Sequence, residues 1–117
     1  MSPHCKLILK KFKFLKKEGF KCVIDNPNGF IIVDYIFKDY HLNMITDYRD
    51  ETEYFSVYPP DVKERKVTRI YDVNIGTQED REVLKALENT EDNFSNVLNA
   101  YTEFIKKNLE QIKQLAH

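Results

Sequence analysis

The sequence predicts an α+β fold: an N-terminal helix, a four- to five-stranded antiparallel sheet, and two C-terminal helices packed on the sheet. Three observations lead to this prediction. Apolar residues recur with helical spacing at the start of the chain, short β-branched and aromatic segments alternate with turns in its middle, and helical spacing returns in its last third. At 117 residues the chain is long enough for one domain, residues 1–117, and too short for two ordinary ones.

The first helix is predicted to begin at Ser2-Pro3, an N-cap residue followed by proline at the first helical position. Gly19 stands where a C-cap is expected. One face of this helix carries the apolar residues expected in the core, which are Cys5, Ile8, Phe12 and Leu15. A separate face carries a row of lysines, called here the lysine stripe, made of Lys6, Lys10, Lys13 and Lys17.

The middle of the chain contains five segments with strand character. Residues 20–24 and 30–37 flank the turn sequence DNPNG, whose proline and glycine favour a hairpin. Residues 42–48 and 53–58 flank a second, polar turn. A fifth strand is expected over residues 67–75, where apolar residues alternate, with a helix as the open alternative for this segment.

The last third of the chain is predicted to form two helices. Residues 78–88 follow Thr77, which with Asp80 has the spacing of a capping box, and Val83, Leu84 and Leu87 supply the buried side. A long helix follows Asn89-Thr90, and its apolar residues share one stripe: Phe94, Val97, Leu98, Tyr101, Phe104, Ile105, Ile112 and Leu115. This stripe predicts that the long helix lies on the sheet.

Composition describes a soluble globular protein, with 42% hydrophobic and 32% charged residues. The net charge is −1, but residues 1–23 carry seven lysines against one glutamate, so a basic segment precedes an acidic remainder. No uncharged stretch approaches the roughly 20 apolar residues of a membrane span, and no secretory cleavage site is visible near Met1. We therefore expect a cytoplasmic protein with no membrane partner.

The two cysteines, Cys5 and Cys22, indicate neither a disulfide framework nor a metal site. One possible pair without a leader is not typical of a secreted scaffold, and both cysteines have apolar neighbours. A zinc site built from His4, Cys5 and Cys22 would lack the paired short spacings of zinc ligands. No metal and no other cofactor is expected.

The sequence offers little that would support catalysis. It contains no phosphate-binding glycine loop and no helical HExxH motif. His41 lies near Asp39 and Asp47 along the chain, so an acid–base pair is conceivable, although an edge or surface histidine is the simpler interpretation. Asp34 interrupts an apolar strand and needs either an open face or a partner. We expect no enzyme and no small-molecule substrate.

The densest candidate for binding is the strand–turn–strand segment from Asp47 to Phe55, called here the acidic corner. Acidic residues steer a basic partner over long range, while aromatic residues and arginine supply binding hot spots. A solubilising turn that protects a sheet edge is the alternative interpretation. The candidate partner-binding residues are Asp47, Tyr48, Arg49, Asp50, Glu51, Glu53 and Tyr54.

A resemblance to a known class of proteins adds to this interpretation. The segment FLKKEGF ends the first helix, ITDYR and YFSV follow in the strands, and FIKKNL lies in the last helix. This order resembles that of small bacterial immunity proteins of contact-dependent inhibition and related polymorphic toxin systems. The resemblance implies a cytoplasmic, non-enzymatic protein that binds a cognate toxin domain and blocks its active site or the access of its substrate. Toxins of this sort are often basic nucleases, which an acidic surface would suit.

Two alternatives remain open from sequence. The first is a nucleic-acid-binding module that uses the lysine stripe against phosphates, although the near-neutral net charge and the lack of a reader motif make nucleic acid an unlikely partner. The second is a bacterial or phage structural interaction protein that binds through Leu7 and Phe14 or through a sheet edge. A hydrolase that uses His41 is a more distant alternative.

Overall fold

A computed structural model describes residues 3–26, 30–47, 54–58, 69–89 and 94–116, with backbone alone for Phe30, Asp47, Tyr54–Tyr58 and Asn89. Helices α1 and α2 come first, four strands follow, and a 3₁₀ turn leads into helices α3 to α5. The bounds are α1 Pro3–Lys11, α2 Lys13–Lys17, β1 Lys21–Asp25, β2 Phe30–Phe37, β3 Tyr40–Asp47, β4 Tyr54–Tyr58, the 3₁₀ turn Ile70–Asp72, α3 Gln78–Asn89, α4 Phe94–Lys107 and α5 Leu109–Leu115. The predicted α+β class is confirmed.

The described strands form one antiparallel sheet in the order β1-β2-β3-β4, so each strand pairs with its neighbour along the chain. Between β2 and β3 the connection is two residues long, because Phe37 pairs with Tyr40. Lys38 in this turn adopts φ +53°, the left-handed conformation that tight hairpins use. The register from Phe37–Tyr40 to Phe30–Asp47 therefore holds β2 and β3 together over their full length.

The core lies on one face of the sheet, under the helices. Helix α1 contacts β2 and α4, and α4 contacts β4. In β2 and β3 every second residue is buried, as expected when one face of a sheet is covered. These inward residues are Ile31, Val33 and Tyr35 from β2 and Leu42, Met44 and Thr46 from β3. The core face predicted for the first helix, from Cys5 to Leu15, is buried against them.

The predicted first helix consists of two helices that meet at Phe12. The Leu15 N–H donates to the Phe12 carbonyl at 3.0 Å, an i to i+3 bond that tightens the turn between α1 and α2. Gly19 ends α2 as predicted, with φ +98°. The Phe20 N–H bonds the Leu15 carbonyl and the Gly19 N–H bonds the Lys16 carbonyl, which together form a Schellman motif.

The C-terminal helices follow the predicted caps but not the predicted lengths. The Thr77 hydroxyl accepts the Asp80 N–H at 3.1 Å, which confirms the cap of α3. The expected long helix is divided into α4 and α5 at Asn108, whose side chain donates to the Phe104 carbonyl at 2.9 Å. Two residues expected in the buried stripes, Val83 and Leu115, are exposed, because the groove beside α3 and the last turn of α5 face outward.

The fifth strand expected over residues 67–75 is wrong for the described part of that segment. Residues 70–72 form a 3₁₀ turn, and residues 67 and 68 lie outside the described ranges. Ile70 and Tyr71 are both buried, and two consecutive buried side chains do not fit the alternation of a strand with one covered face. The local alternation of apolar residues therefore predicted the wrong element, because the 3₁₀ turn buries Ile70 and Tyr71 together.

The loop before α3 is fastened to α5 by its backbone. The Gly76 N–H donates to Gln111 Oε1 at 2.9 Å, and Gln111 Nε2 donates to the Asn74 carbonyl at 3.1 Å. Gly76 has φ +67°, and a Cβ there would lie 2.8 Å from Asn108 Oδ1. This position therefore disfavours other residues on two grounds, backbone conformation and space.

Candidate functional site

The sheet face opposite the helices is called here the open face. Its positions alternate with those that face the helices along β1, β2 and β3. The isoleucines of this face are half-buried, and Val23 is 53% exposed. The open face comprises Lys21, Val23, Asp25, Ile32, Asp34, Ile36, His41, Asn43 and Ile45. It therefore offers exposed and half-buried apolar side chains together with a few charged groups.

A carboxylate–imidazole pair lies on the open face. His41 Nδ1 is 2.8 Å from Asp34 Oδ2, and the side chains are 41% and 21% exposed, respectively. In the antiparallel register Asp34 lies opposite Asn43, so His41 is its diagonal neighbour on β3. The two-residue turn at Lys38-Asp39 sets this register and thereby brings Asp34 and His41 together.

The partner of His41 is Asp34, not the sequence neighbours Asp39 or Asp47 that the sequence analysis considered. Because a carboxylate oxygen accepts, the contact fits the tautomer with hydrogen on Nδ1, which leaves Nε2 able to accept a hydrogen bond. The Asp34 Oδ1 atom is buried, and the His41 imidazole, at 41%, is the more exposed side chain of the pair. The pair can thus accept hydrogen bonds from, and attract, a cationic group.

The acidic corner lies at one end of the same sheet. Asp47 is the last residue of β3 and pairs with Tyr54, the first residue of β4, so these two residues of the corner lie side by side at one end of the sheet. The other candidate residues of the corner, Tyr48, Arg49, Asp50, Glu51 and Glu53, lie outside the described residues. Position 47 is on the same face of β3 as His41, Asn43 and Ile45. The acidic corner is therefore continuous with the open face at this position.

The lysine stripe lies in the helical layer, on the other side of the molecule from the open face. Lys6, Lys10, Lys13 and Lys17 are all exposed. Lys10 also lines a groove of about 670 Å³ between α1 and α4, together with Lys11 and Lys106. The remaining lining residues are Leu7, Ser95, Leu98, Asn99, Thr102 and Glu103. The helical layer thus concentrates positive charge around a groove that the sequence alone did not indicate, because Lys106 comes from a distant segment.

The first two helices and the sheet region differ in charge. Residues 3–19, which form α1 and α2, contain six lysines and one glutamate. Residues 21–58, which contain the sheet, hold seven acidic and three basic residues. The open face and the acidic corner therefore suit a basic partner, whereas the helical groove suits an anionic one.

The cysteines form part of the core rather than a reactive site. Cys5 is buried, Cys22 is partly buried, and neither is in a disulfide. Burial raises the pKa of the Cys5 thiol, with a further contribution from nearby Cys22. A thiol with a raised pKa is a poor nucleophile and a poor metal ligand at neutral pH. Across the described ranges of the chain, no cluster of three or more His, Cys, Asp or Glu side chains could hold a metal ion.

A buried glutamate joins α3 to its neighbours. The Glu88 side chain is 6% exposed, accepts a hydrogen bond from the Tyr101 hydroxyl at 3.1 Å, and pairs with Arg69 at 3.4 Å. Its partners lie on α4 and beside the 3₁₀ turn, so this contact fixes the helical layer. We assign Glu88 a structural role, because its charge is compensated inside the fold.

Comparison with protein-family models, with curated proteins and with solved structures found no match. Among the described helices, none has the length and apolar character that crossing a membrane requires. The arrangement on the open face is therefore the principal guide to function.

Proposed function

We propose that this protein is a cytoplasmic, non-enzymatic immunity protein that binds a basic toxin domain through the open face and the acidic corner. The observation that carries the proposal is the sheet face left uncovered by the helices, where half-buried isoleucines surround the Asp34–His41 pair. Binding there would place the body of the protein over the toxin's active site, or over the path by which its substrate arrives. The proposed partner is a protein domain, for which the family resemblance implies a nuclease, and no cofactor takes part.

Charge supports the choice of a basic partner. The sheet region carries an excess of acidic residues, and Asp34 stands within the apolar part of the open face. Acidic residues at the rim increase the rate of encounter with a basic surface, while the apolar centre supplies affinity after water is excluded. Because the lysine-rich helices lie on the opposite side of the sheet, they do not oppose this approach.

Kinetics with a purified partner test the role of the acidic corner. The first partner to try is the product of the adjacent upstream gene, identified by co-purification with this protein. Asp50→Lys combined with Glu51→Lys is expected to slow association, most strongly at low salt, because rim charges act on encounter. Tyr54→Ala is expected to accelerate dissociation about thirtyfold or more, as for a buried aromatic anchor.

Thermal melts of each variant serve as the folding control for these measurements. Folded variants with unchanged rate constants would contradict the assignment of the corner. A partner domain that stays fully active when mixed with a stoichiometric excess of this protein would contradict the proposed function itself.

The helical groove supports a second candidate function, the binding of nucleic acid. Lys10 and Lys11 of α1 meet Lys106 of α4 around one groove, an arrangement that could hold phosphate groups. On this account affinity for single-stranded or duplex oligonucleotides would fall steeply with salt and be lost when the groove lysines Lys10, Lys11 and Lys106 are changed to Gln. We expect negligible binding at physiological salt, and salt-sensitive submicromolar binding would favour this second function over the first.

A further inference from the structure

Strand β1 is an exposed edge of the sheet. Within the parts of the chain that the structure describes, β1 has one hydrogen-bonded neighbour, β2. Val23 and Ile24 are 53% and 44% exposed, although they point to opposite faces of the sheet. An edge strand with exposed β-branched residues is a template for pairing with another strand, and proteins normally protect such edges.

The sequence of β1, Lys21-Cys22-Val23-Ile24-Asp25, is complementary to itself when it is reversed. If two copies pair antiparallel about Val23, each Lys21 lies opposite Asp25 of the other copy. Each Cys22 then lies opposite Ile24, and the two Val23 residues face each other. Parallel pairing in register would instead place lysine opposite lysine and aspartate opposite aspartate, which is unfavourable. The charges therefore select one orientation and one register.

We propose that β1 is a dimerisation edge, and that its occupant is β1 of a second copy of this chain. A two-fold axis through Val23 gives an isologous interface in which every contact occurs twice. Two ion pairs form on the open face, Val23 is covered at the axis, and Ile24 is covered on the other face. The product is a continuous sheet made from the four described strands of each copy.

The ends of β1 are already arranged for this pairing. Lys21 and Asp25 are exposed, and both belong to the same face of the sheet because they are four residues apart on the strand. Asp25 Oδ1 accepts the Asn26 N–H at 2.8 Å, which orients the carboxylate at the end of the strand. The proposal is independent of toxin binding, because it follows from β1 alone and applies whichever ligand the open face binds.

Charge reversal provides the test, measured by sedimentation velocity on the full chain. We expect the wild-type protein to dimerise reversibly. Lys21→Asp places Asp opposite Asp25, and Asp25→Lys places Lys opposite Lys21, each twice. Either single variant is therefore expected to weaken dimerisation about tenfold or more. The double variant with both changes restores opposite charges at both positions and is expected to dimerise like the wild type.

Mixing the two single variants makes the test specific. Lys21→Asp and Asp25→Lys are complementary to each other in the antiparallel register, so the mixture is expected to form a heterodimer, which a fluorescent label on one variant reveals. Lys17→Asp, the same charge change on exposed α2, serves as the control and leaves dimerisation intact. A monomeric wild type at submillimolar concentration, or single variants that dimerise as well as the wild type, would overturn the proposal. Circular dichroism verifies that both variants are folded. Failure of the folded variants to form heterodimers would therefore also overturn the proposal.

Discussion

His41 Nδ1 lies 2.8 Å from Asp34 Oδ2 and joins strands β3 and β2 on the sheet face that the helices leave uncovered. The contact explains how a carboxylate is accommodated in the otherwise apolar strand Phe30–Phe37. It also places a charged group at the centre of the surface proposed to bind a partner. Its strength can be measured separately from its function.

A double-mutant cycle is expected to show that Asp34 and His41 stabilise each other. Asp34→Asn, His41→Gln and the double variant are compared in urea unfolding at neutral pH. Because both side chains are partly exposed, we expect a coupling free energy of about 0.5–1 kcal/mol. Additive effects, with no coupling, would mean that the contact does not hold the two strands together in solution.

Helix α4 is expected to contribute a large part of the core. Leu98 and Ile105 are fully buried on its inner face. Truncating either residue to Ala should lower the free energy of unfolding by roughly 2–5 kcal/mol, through lost apolar burial and the cavity that remains. Gln114→Ala, at an exposed position on α5, is the matched control and should change it little. Losses below about 0.5 kcal/mol at both core sites would contradict the packing of α4.

The two positive-φ glycines are expected to respond differently to alanine. At Gly76 a Cβ would lie 2.8 Å from Asn108 Oδ1, whereas at Gly19 the nearest contact is an ordinary 3.5 Å to the Phe37 ring. Both substitutions strain the backbone by about 1–2 kcal/mol, and Gly76→Ala should cost about 1 kcal/mol more. Asn108→Ala removes the side chain that the new Cβ would meet. The loss of unfolding free energy in the double variant should therefore be smaller than the sum of the losses in the two single variants.

Alkaline pH is expected to destabilise the fold through its buried and partly buried tyrosines. Burial raises the pKa of Tyr40 to about 12, and it also raises the pKa of Tyr35 and Tyr71. A phenol ionises near pH 10 in the unfolded chain, so the folded state binds these protons more tightly. The stability that this difference contributes is fully present below about pH 10. The free energy of unfolding should fall as the pH rises from about 10 towards 12, less steeply in Tyr40→Phe. Equal slopes for Tyr40→Phe and the wild type would contradict the burial of this phenol.

The elements that the sequence predicted well are those with a local signal. Gly19 marks the end of α2 because glycine readily adopts a positive φ. The Thr77 cap depends only on a hydrogen bond to Asp80, three residues along the chain. Strand Phe30–Phe37 has the bounds expected from its apolar run. Each of these features depends on a few consecutive residues.

The features that sequence missed depend on distant contacts. Ile70 and Tyr71 are both buried in a 3₁₀ turn where a fifth strand was expected. The alternation of apolar residues within 67–75 does not indicate that these two neighbours are both buried. The Asp34–His41 pair depends on the register set at Lys38-Asp39, so it could have been found only by assuming the two-residue turn. Lys106 joins the groove beside Lys10 through the packing of α4 on α1, which the lysine spacing in α1 cannot indicate.

The central claim, that the open face binds a basic toxin domain, is tested most directly by one dissociation constant. Isothermal titration calorimetry with the partner domain that co-purifies with this protein compares the wild type with Ile45→Lys. This change puts a positive charge, which would repel a basic partner, in the middle of the open face beside the Asp34–His41 pair. The control is Gln114→Lys, which adds the same charge at an exposed position of α5. We expect Ile45→Lys to weaken binding about a hundredfold, with the control unchanged and both variants folded. A folded Ile45→Lys variant that binds as tightly as the wild type would contradict the account.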